Sequence, residues 1–253
     1  FHPNGIGNHA GELGKNLIFS SGGIGKGSFY VDDFKLDIKA VGPFVNRSLQ
    51  DFYEINQHGK KRKGGTVDFL FSHNNPLPKA KQLIWNDDTL IWGEALQEKL
   101  LHHFTQKRVL DFEIFCDWTP HDDCFVTLDE TIKDRYGNPV AKVRIGAHES
   151  DFEVGEIIAK KCEALLEEMG AKEIYSNIST TPPQNLQAGG CRFGDDPKSS
   201  VLDKTCKVHF IDNLYLSDGS FMPTGGSVPF TWTIYANAFR VADKILEKLN
   251  QKS

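Results

Sequence analysis

The chain has 253 residues, with 29 Lys and Arg against 34 Asp and Glu, and its formal net charge of -5 excludes the basic footprint that nucleic-acid binding needs. Its 39% hydrophobic and 25% charged residues are ordinary for a globular protein of one large or two modest domains. No apolar run approaches the roughly 18–20 residues of a membrane-spanning helix. Cys116, Cys124, Cys162, Cys191 and Cys206 fall at irregular spacing, with no C-x-x-C and no Cys/His pair at zinc-finger spacing. They read as buried free thiols, with no metal site. The chain opens at Phe1 without Met or an apolar targeting run, so it reads as part of a longer protein whose compartment, cytoplasmic or periplasmic, stays open.

Residues 1–30 are rich in glycine and hold two segments that look like phosphate loops. Gly5-Ile6-Gly7-Asn8-His9-Ala10-Gly11 has its third glycine one residue late for a dinucleotide fingerprint and no strand before it. Gly25-Lys26-Gly27-Ser28 lacks the Lys-Ser/Thr pair of a P-loop. Both are expected to be structured loops. Residues 29–31, 34–38 and 66–71 alternate apolar and polar positions, as strands of a mainly antiparallel sheet do. The basic run Lys60-Lys61-Arg62-Lys63, beside Gly64-Gly65, reads as a solvated loop. Residues 89–104 predict a helix with Trp92, Ala95, Leu96 and Leu100 on one side.

Two strands follow, 110–115 and 124–128, around a Pro120-His121-Asp122-Asp123 turn. A hairpin turn at Asp134-Arg135-Tyr136-Gly137-Asn138-Pro139 then leads into strand 140–145. The helix predicted at 153–169 carries Val154, Ile157, Ile158, Cys162, Leu165 and Met169 on one face. Ser150 or Asp151 caps it and Gly170 stops it. A strand at 171–175 precedes a loop-rich stretch, 176–212. Near the end, a strand at 214–216 enters an Asp218-Gly219-Ser220 turn, a Pro/Gly loop and a long helix. That helix spaces Tyr235, Ala238, Phe239, Ala242, Ile245 and Leu249 for one buried face. Such a helix start offers free backbone N–H groups and a positive dipole end to an anionic or electron-rich ligand. The succession of strands, helix, strands and helix predicts an α+β fold.

Several ordered elements between residues 189 and 243 carry a family likeness. They are Gly189-Gly190-Cys191-Arg192-Phe193-Gly194, Asp195-Asp196-Pro197, Ser200-Val201-Leu202-Asp203 and Cys206-Lys207-Val208-His209. Asn213-Leu214-Tyr215-Leu216-Ser217-Asp218-Gly219-Ser220, Pro223-Thr224, Thr233-Ile234 and Ala238-Phe239-Arg240-Val241-Ala242-Asp243 follow. Together they resemble the C-terminal signature of the glucose–methanol–choline (GMC) flavoprotein oxidoreductases, and the wording is most similar to bacterial sugar and polyol dehydrogenases. The resemblance implies a substrate domain with a large, mainly antiparallel sheet, plus the closing strand and helix of a Rossmann-like FAD domain whose N-terminal fingerprint is missing here. It implies the division 1–11 (a segment from the FAD domain), 12–188 (substrate-binding domain) and 189–253 (C-terminal part of the FAD domain). It further implies FAD as cofactor, with Asp218, Gly219, Val228, Pro229, Phe230 and Thr231 against it. The substrate implied is a sugar, polyol or other alcohol oxidised at a CH–OH group by hydride transfer to flavin N5, with the electron acceptor open among oxygen, a quinone and an electron-acceptor protein such as a cytochrome.

The chain departs from the family pattern where a proton acceptor is expected. The usual His position before the glycine motif falls on Leu186 or Gln187, and the usual His or Asn before the helix-opening proline falls on Val228. Three explanations stand side by side. The base comes from elsewhere in the chain, with His73 and His209 as candidates and the Gln187 amide at most a hydrogen-bonding group at the catalytic position; it lies in polypeptide outside these residues; or the chain is a catalytically inactive GMC-fold homologue acting as a binding or structural protein. The 253 residues alone are expected to retain FAD weakly or not at all and to lack activity.

Overall fold

The computed structural model describes residues 5–33, 45–71, 76–146, 148–181 and 186–250. In chain order the elements begin with β1 (Leu17–Ile18), β2 (Ser21–Tyr30), β3 (Val45–Leu49), β4 (Glu54–Gln57), β5 (Lys60–Lys63) and β6 (Gly65–Phe71). Next come α1 (Pro76–Leu83), β7 (Trp85–Asn86), β8 (Thr89–Leu90), α2 (Gly93–Gln106), β9 (Lys107–Cys116), β10 (Phe125–Lys133) and β11 (Pro139–Arg144). The last are α3 (Glu149–Glu168), β12 (Lys172–Ile178), β13 (Ala188–Gly189), a 3-10 turn at Gly219–Phe221 and α4 (Thr231–Asn250). They divide into a first unit, Phe1–Ser21 with Phe115–Glu153 and Ser179–Ser253, and a second, Gly22–Ile114 with Val154–Ile178.

The second unit is built on a five-stranded sheet in the order β12-β2-β9-β6-β3, antiparallel where β12 meets β2 and where β3 meets β6. The glycine segment 25–28, expected as a loop, is strand within β2. A Cβ on Gly25 would stand 2.1 Å from Phe112 Cζ, and one on Gly27 would stand 2.9 Å from Ala171 Cβ and 3.2 Å from Leu166 Cδ1. The glycines are there because neighbouring side chains occupy the space where theirs would be. Phe112 and Leu166, which fill that space, are fully buried.

Helix α3 forms but starts earlier than predicted, at Glu149, so Ser150 and Asp151 lie in its first turn rather than capping it, and its buried stripe is Val154, Ile158, Ala159, Cys162 and Leu166. Leu165 and Met169 lie outside it. The helix stops where expected: Gly170 takes φ +83°, its N–H reaches Glu167 O at 2.8 Å, and Ala171 N–H reaches Leu166 O at 2.9 Å. The basic run is also strand rather than loop. β5 pairs with β4 across a His58–Gly59 turn of positive φ, Arg62 Nη1 donates to Gln57 Oε1 at 2.7 Å, and Lys61 Nζ lies 3.5 Å from Glu54 Oε2. Helix α2 buries no residue, and Trp92 precedes it, 79% exposed. The strand expected at 34–38 lies outside the described residues.

In the first unit, β1 pairs with β13 and β10 with β11, around a core of Ile18, Trp118, Leu202, Phe221, Phe230 and Val241. The strand expected at 214–216 is only an isolated bridge between Lys207 and Tyr215, with Val208 N–H to Leu214 O and Leu216 N–H to Cys206 O beside it. The chain turns at Asp218 before a ladder can lengthen.

Helix α4 runs as expected but buries a different face. Asn237 and Val241 are buried with Ile234, Ala238 and Ile245 against them, whereas Tyr235, Phe239 and Leu249 are 56%, 76% and 57% exposed. A polar residue can lead this stripe because its amide is answered. Asn237 Oδ1 accepts from Arg240 Nη2 at 2.7 Å, and its Nδ2 donates to Cys206 Sγ at 3.5 Å. All five cysteines are free thiols, four of them buried. No helix among the described residues is long and apolar enough to cross a membrane.

Candidate functional site

Three stretches of the first unit meet around Gly219. Residues 188–193 run beside the 3-10 turn, with Cys191 N–H to Ser220 O at 3.0 Å and Phe193 N–H to Phe221 O at 3.1 Å. A Cβ on Gly219 would stand 3.2 Å from Gln187 O, 3.5 Å from Ala188 Cβ and 3.0 Å from Ile234 Cδ1 on the first turn of α4. Gly219 is therefore glycine to let its own chain close around it. Asp218, exposed, caps the turn by accepting from Ser220 N–H at 2.8 Å and from the Ser220 hydroxyl.

The third stretch is the start of α4, met through Ile234, and the loop leading into it is fastened to Asp117 and set against Phe19. Gly226 N–H donates to Asp117 Oδ1 at 3.2 Å, and a Cβ on Gly225 would stand 3.3 Å from that same oxygen and 3.4 Å from Phe19 O. Ser227 adopts φ +58° and is 1% exposed, and its hydroxyl has no hydrogen-bond partner among the described residues. Phe230 is buried and its carbonyl accepts from Ile234 N–H at 3.1 Å, so the helix begins with Thr231, Trp232 and Thr233 exposed. An exposed helix start with an unanswered buried hydroxyl just before it fits the electron-rich edge of a flavin ring.

Of the residues expected at the site, Gln187 and Gly219 come together, and Asp218 stands beside them. Val228, Pro229, Phe230 and Thr231 form the entry to α4, which reaches Gly219 through Ile234. His73 lies outside the described residues. His209 is half-buried, with its Nε2 3.0 Å from Ser200 Oγ and its ring edge-on to His9 at 5.8 Å.

Sequence reasoning passed over two features of residues 115–153. One is Asp117. The other is a buried relay in which Gly146 N–H meets Cys124 Sγ at 3.2 Å, Cys124 Sγ lies 3.1 Å from His148 Nε2, and His148 Nδ1 lies 2.8 Å from Asp151 Oδ2. Asp151 also accepts the Thr119 N–H and hydroxyl, at 2.9 and 2.8 Å. Burial alone would push the Asp151 carboxyl up, but the His148 and Thr119 hydrogen bonds bring it below its ordinary range. The relay fastens the start of α3, and Trp118 stacks over His148 at 3.9 Å. Its only sequence signal was Asp151 as a helix cap; nothing in the spacing of Cys124 and His148 announces the contact.

Residues 120–238 match the C-terminal domain of the family described as GMC oxidoreductase, whose members are FAD-dependent. Over 255 residues it is 32% identical to the fructose dehydrogenase large subunit of Gluconobacter japonicus, covering 99% of this chain and 44% of that one. Over 160 residues it is 31% identical to 2-methyl-1,2-propanediol dehydrogenase of Mycolicibacterium austroafricanum, covering 63% of this chain and 29% of that one. Formate oxidase of Aspergillus oryzae superposes with a TM-score of 0.61 at 16% identity, over 96% of this chain and 48% of that one, and so shares the fold. The chain thus spans less than half the length of each.

Proposed function

We propose that the chain works within an FAD-dependent oxidoreductase that oxidises a CH–OH group of a sugar, polyol or other small alcohol, with a protein or quinone receiving the electrons. In this reading residues 12–188 supply the substrate domain, while 1–11 and 189–253 belong to the flavin domain, whose pyrophosphate-binding fingerprint lies in polypeptide outside this chain. The observation that carries it is the exposed start of α4, set beside the unpartnered hydroxyl of Ser227 and the Asp218–Gly219 turn. Similarity to sugar and diol dehydrogenases supports the substrate class.

When bound, the flavin accepts the hydride removed from the alcohol carbon. The residues of this chain then have separate tasks. Free N–H groups at the start of α4 would serve as donors where negative charge builds on the bound flavin, and preorganised donors of this kind strengthen as charge develops. Asp218 holds its turn shut so that Gln187 and Gly219 keep a fixed separation. Gln187 orients a substrate hydroxyl through its amide, which binds hydrogen but takes no proton.

The whole gene product, incubated without oxygen with a panel of sugars, polyols and short alcohols, is expected to show bleaching of its flavin absorbance by at least one. A flavin that stays oxidised throughout would instead favour the inactive homologue. That second reading has its own observation: Leu186 and Val228 stand where proton acceptors are expected.

A further inference from the structure

Asp117 sits 109 residues before Gly226, on a segment that no site signal marked, and it is the carboxylate that the loop into α4 hydrogen-bonds. Both faces of that contact are close-fitted. Gly226 donates its N–H at 3.2 Å, and a methyl on Gly225 would stand 3.3 Å from Asp117 Oδ1, close enough that the carboxylate would have to shift slightly. The next residue, Ser227, is held in the left-handed region with its side chain buried, a conformation a non-glycine residue keeps only when its surroundings impose it. Trp118, adjacent to Asp117, is 1% exposed and packs edge-on to Phe19 at 5.6 Å, so the carboxylate is mounted on a rigid base.

We propose that Asp117 is a positioning residue: its carboxylate, by accepting the Gly226 N–H, fixes the 225–227 loop so that the start of α4 is presented to the flavin ring in one geometry. The proposal rests on the functional reading above. It predicts an effect on the step in which charge develops rather than on substrate affinity, because misaligned donors lose most where charge is greatest.

The test compares Asp117→Ala, which removes the acceptor, with Asp117→Asn, which keeps one, in the flavin-loaded whole gene product. Asp117→Ala is expected to lower kcat by about tenfold or more, as loss of a hydrogen bond to a charged group implies, with KM changed by less than about twofold. It is also expected to alter the flavin absorbance band and to speed hydrogen exchange at the Gly226 amide. Asp117→Asn restores all three. Gly225→Ala, which crowds the same contact from the other side, reproduces the Asp117→Ala pattern without touching the carboxylate and serves if Asp117→Ala does not fold. An Asp117→Ala protein with wild-type kcat and Gly226 exchange overturns the proposal, as does an Asp117→Asn protein as impaired as Asp117→Ala. A wild type that takes up no flavin overturns the functional reading and this inference with it, an outcome read before any variant is compared.

Discussion

At Gly25, the 2.1 Å that would separate an added Cβ from Phe112 Cζ decides how a substitution behaves. Replacing glycine by alanine ordinarily gains several tenths of a kcal/mol by restricting the unfolded chain. Here the ring would have to leave a close-packed core, which costs about 1–3 kcal/mol and outweighs that gain. Gly25→Ala is therefore expected to lower the denaturant midpoint of the second unit, and an unchanged or raised midpoint would show that Phe112 can move aside. The same residue explains a misreading. A glycine in a strand and a glycine in a phosphate loop look alike in sequence, because the partner that forbids a side chain, Phe112, lies 87 positions away. Asp117 was illegible for the same reason, whereas Asp218 and Gly170 were readable because their partners lie within four residues. The site follows this division: its local turns could be foreseen, and its long-range fastening could not.

Among the elements, existence and type were mostly legible and faces were not. The spacing of α3 located the helix, but the side packed on the sheet is set by Gly27 and Gly155, which let Leu166 and Ile178 approach. For α4 the rule that buried means apolar pointed to Tyr235 and Phe239, and the Asn237–Cys206–Arg240 network overrode it. Polar contacts between elements also set the response to acid. Glu173 on β12 is held down to about 2, first by Lys107 on β9 and then by the hydroxyls of Tyr30 and Ser28 on β2. His103 on α2 is held down to about 4, first by burial and then by Lys79 and Lys107. For both groups the unfolded chain binds more protons than the folded one between the two pKa values, so stability rises with pH there. The His103 contribution is present above its ordinary 6.5 and is lost as pH falls toward about 4. That of Glu173 is present above 4.5 and is lost toward about 2. Denaturation profiles are expected to slope through both windows. His103→Asn should flatten the upper window and Glu173→Gln the lower; equal slopes in variant and wild type would show that these contacts are not coupled to folding.

For the whole molecule, the connectivity of the two units has a consequence during synthesis. The second unit is complete once Ile178 has been made, whereas the first needs residues from both ends of the chain, since Leu17 pairs with Gly189 and Val241 lies in the same core. Residues 5–21 are therefore made well before residues 186–250, with which they share a core, while the later-starting unit closes. Contacts of such long sequence separation form slowly. Stalled nascent chains long enough to expose residue 178 are expected to protect residues 22–114 from protease while residues 115–153 are still cut. Simultaneous protection of both would mean that the two units fold as one. Order of maturation thus runs against order of sequence: the unit that begins at Gly22 closes first, and residues 5–21 wait for the helix at Thr231–Asn250.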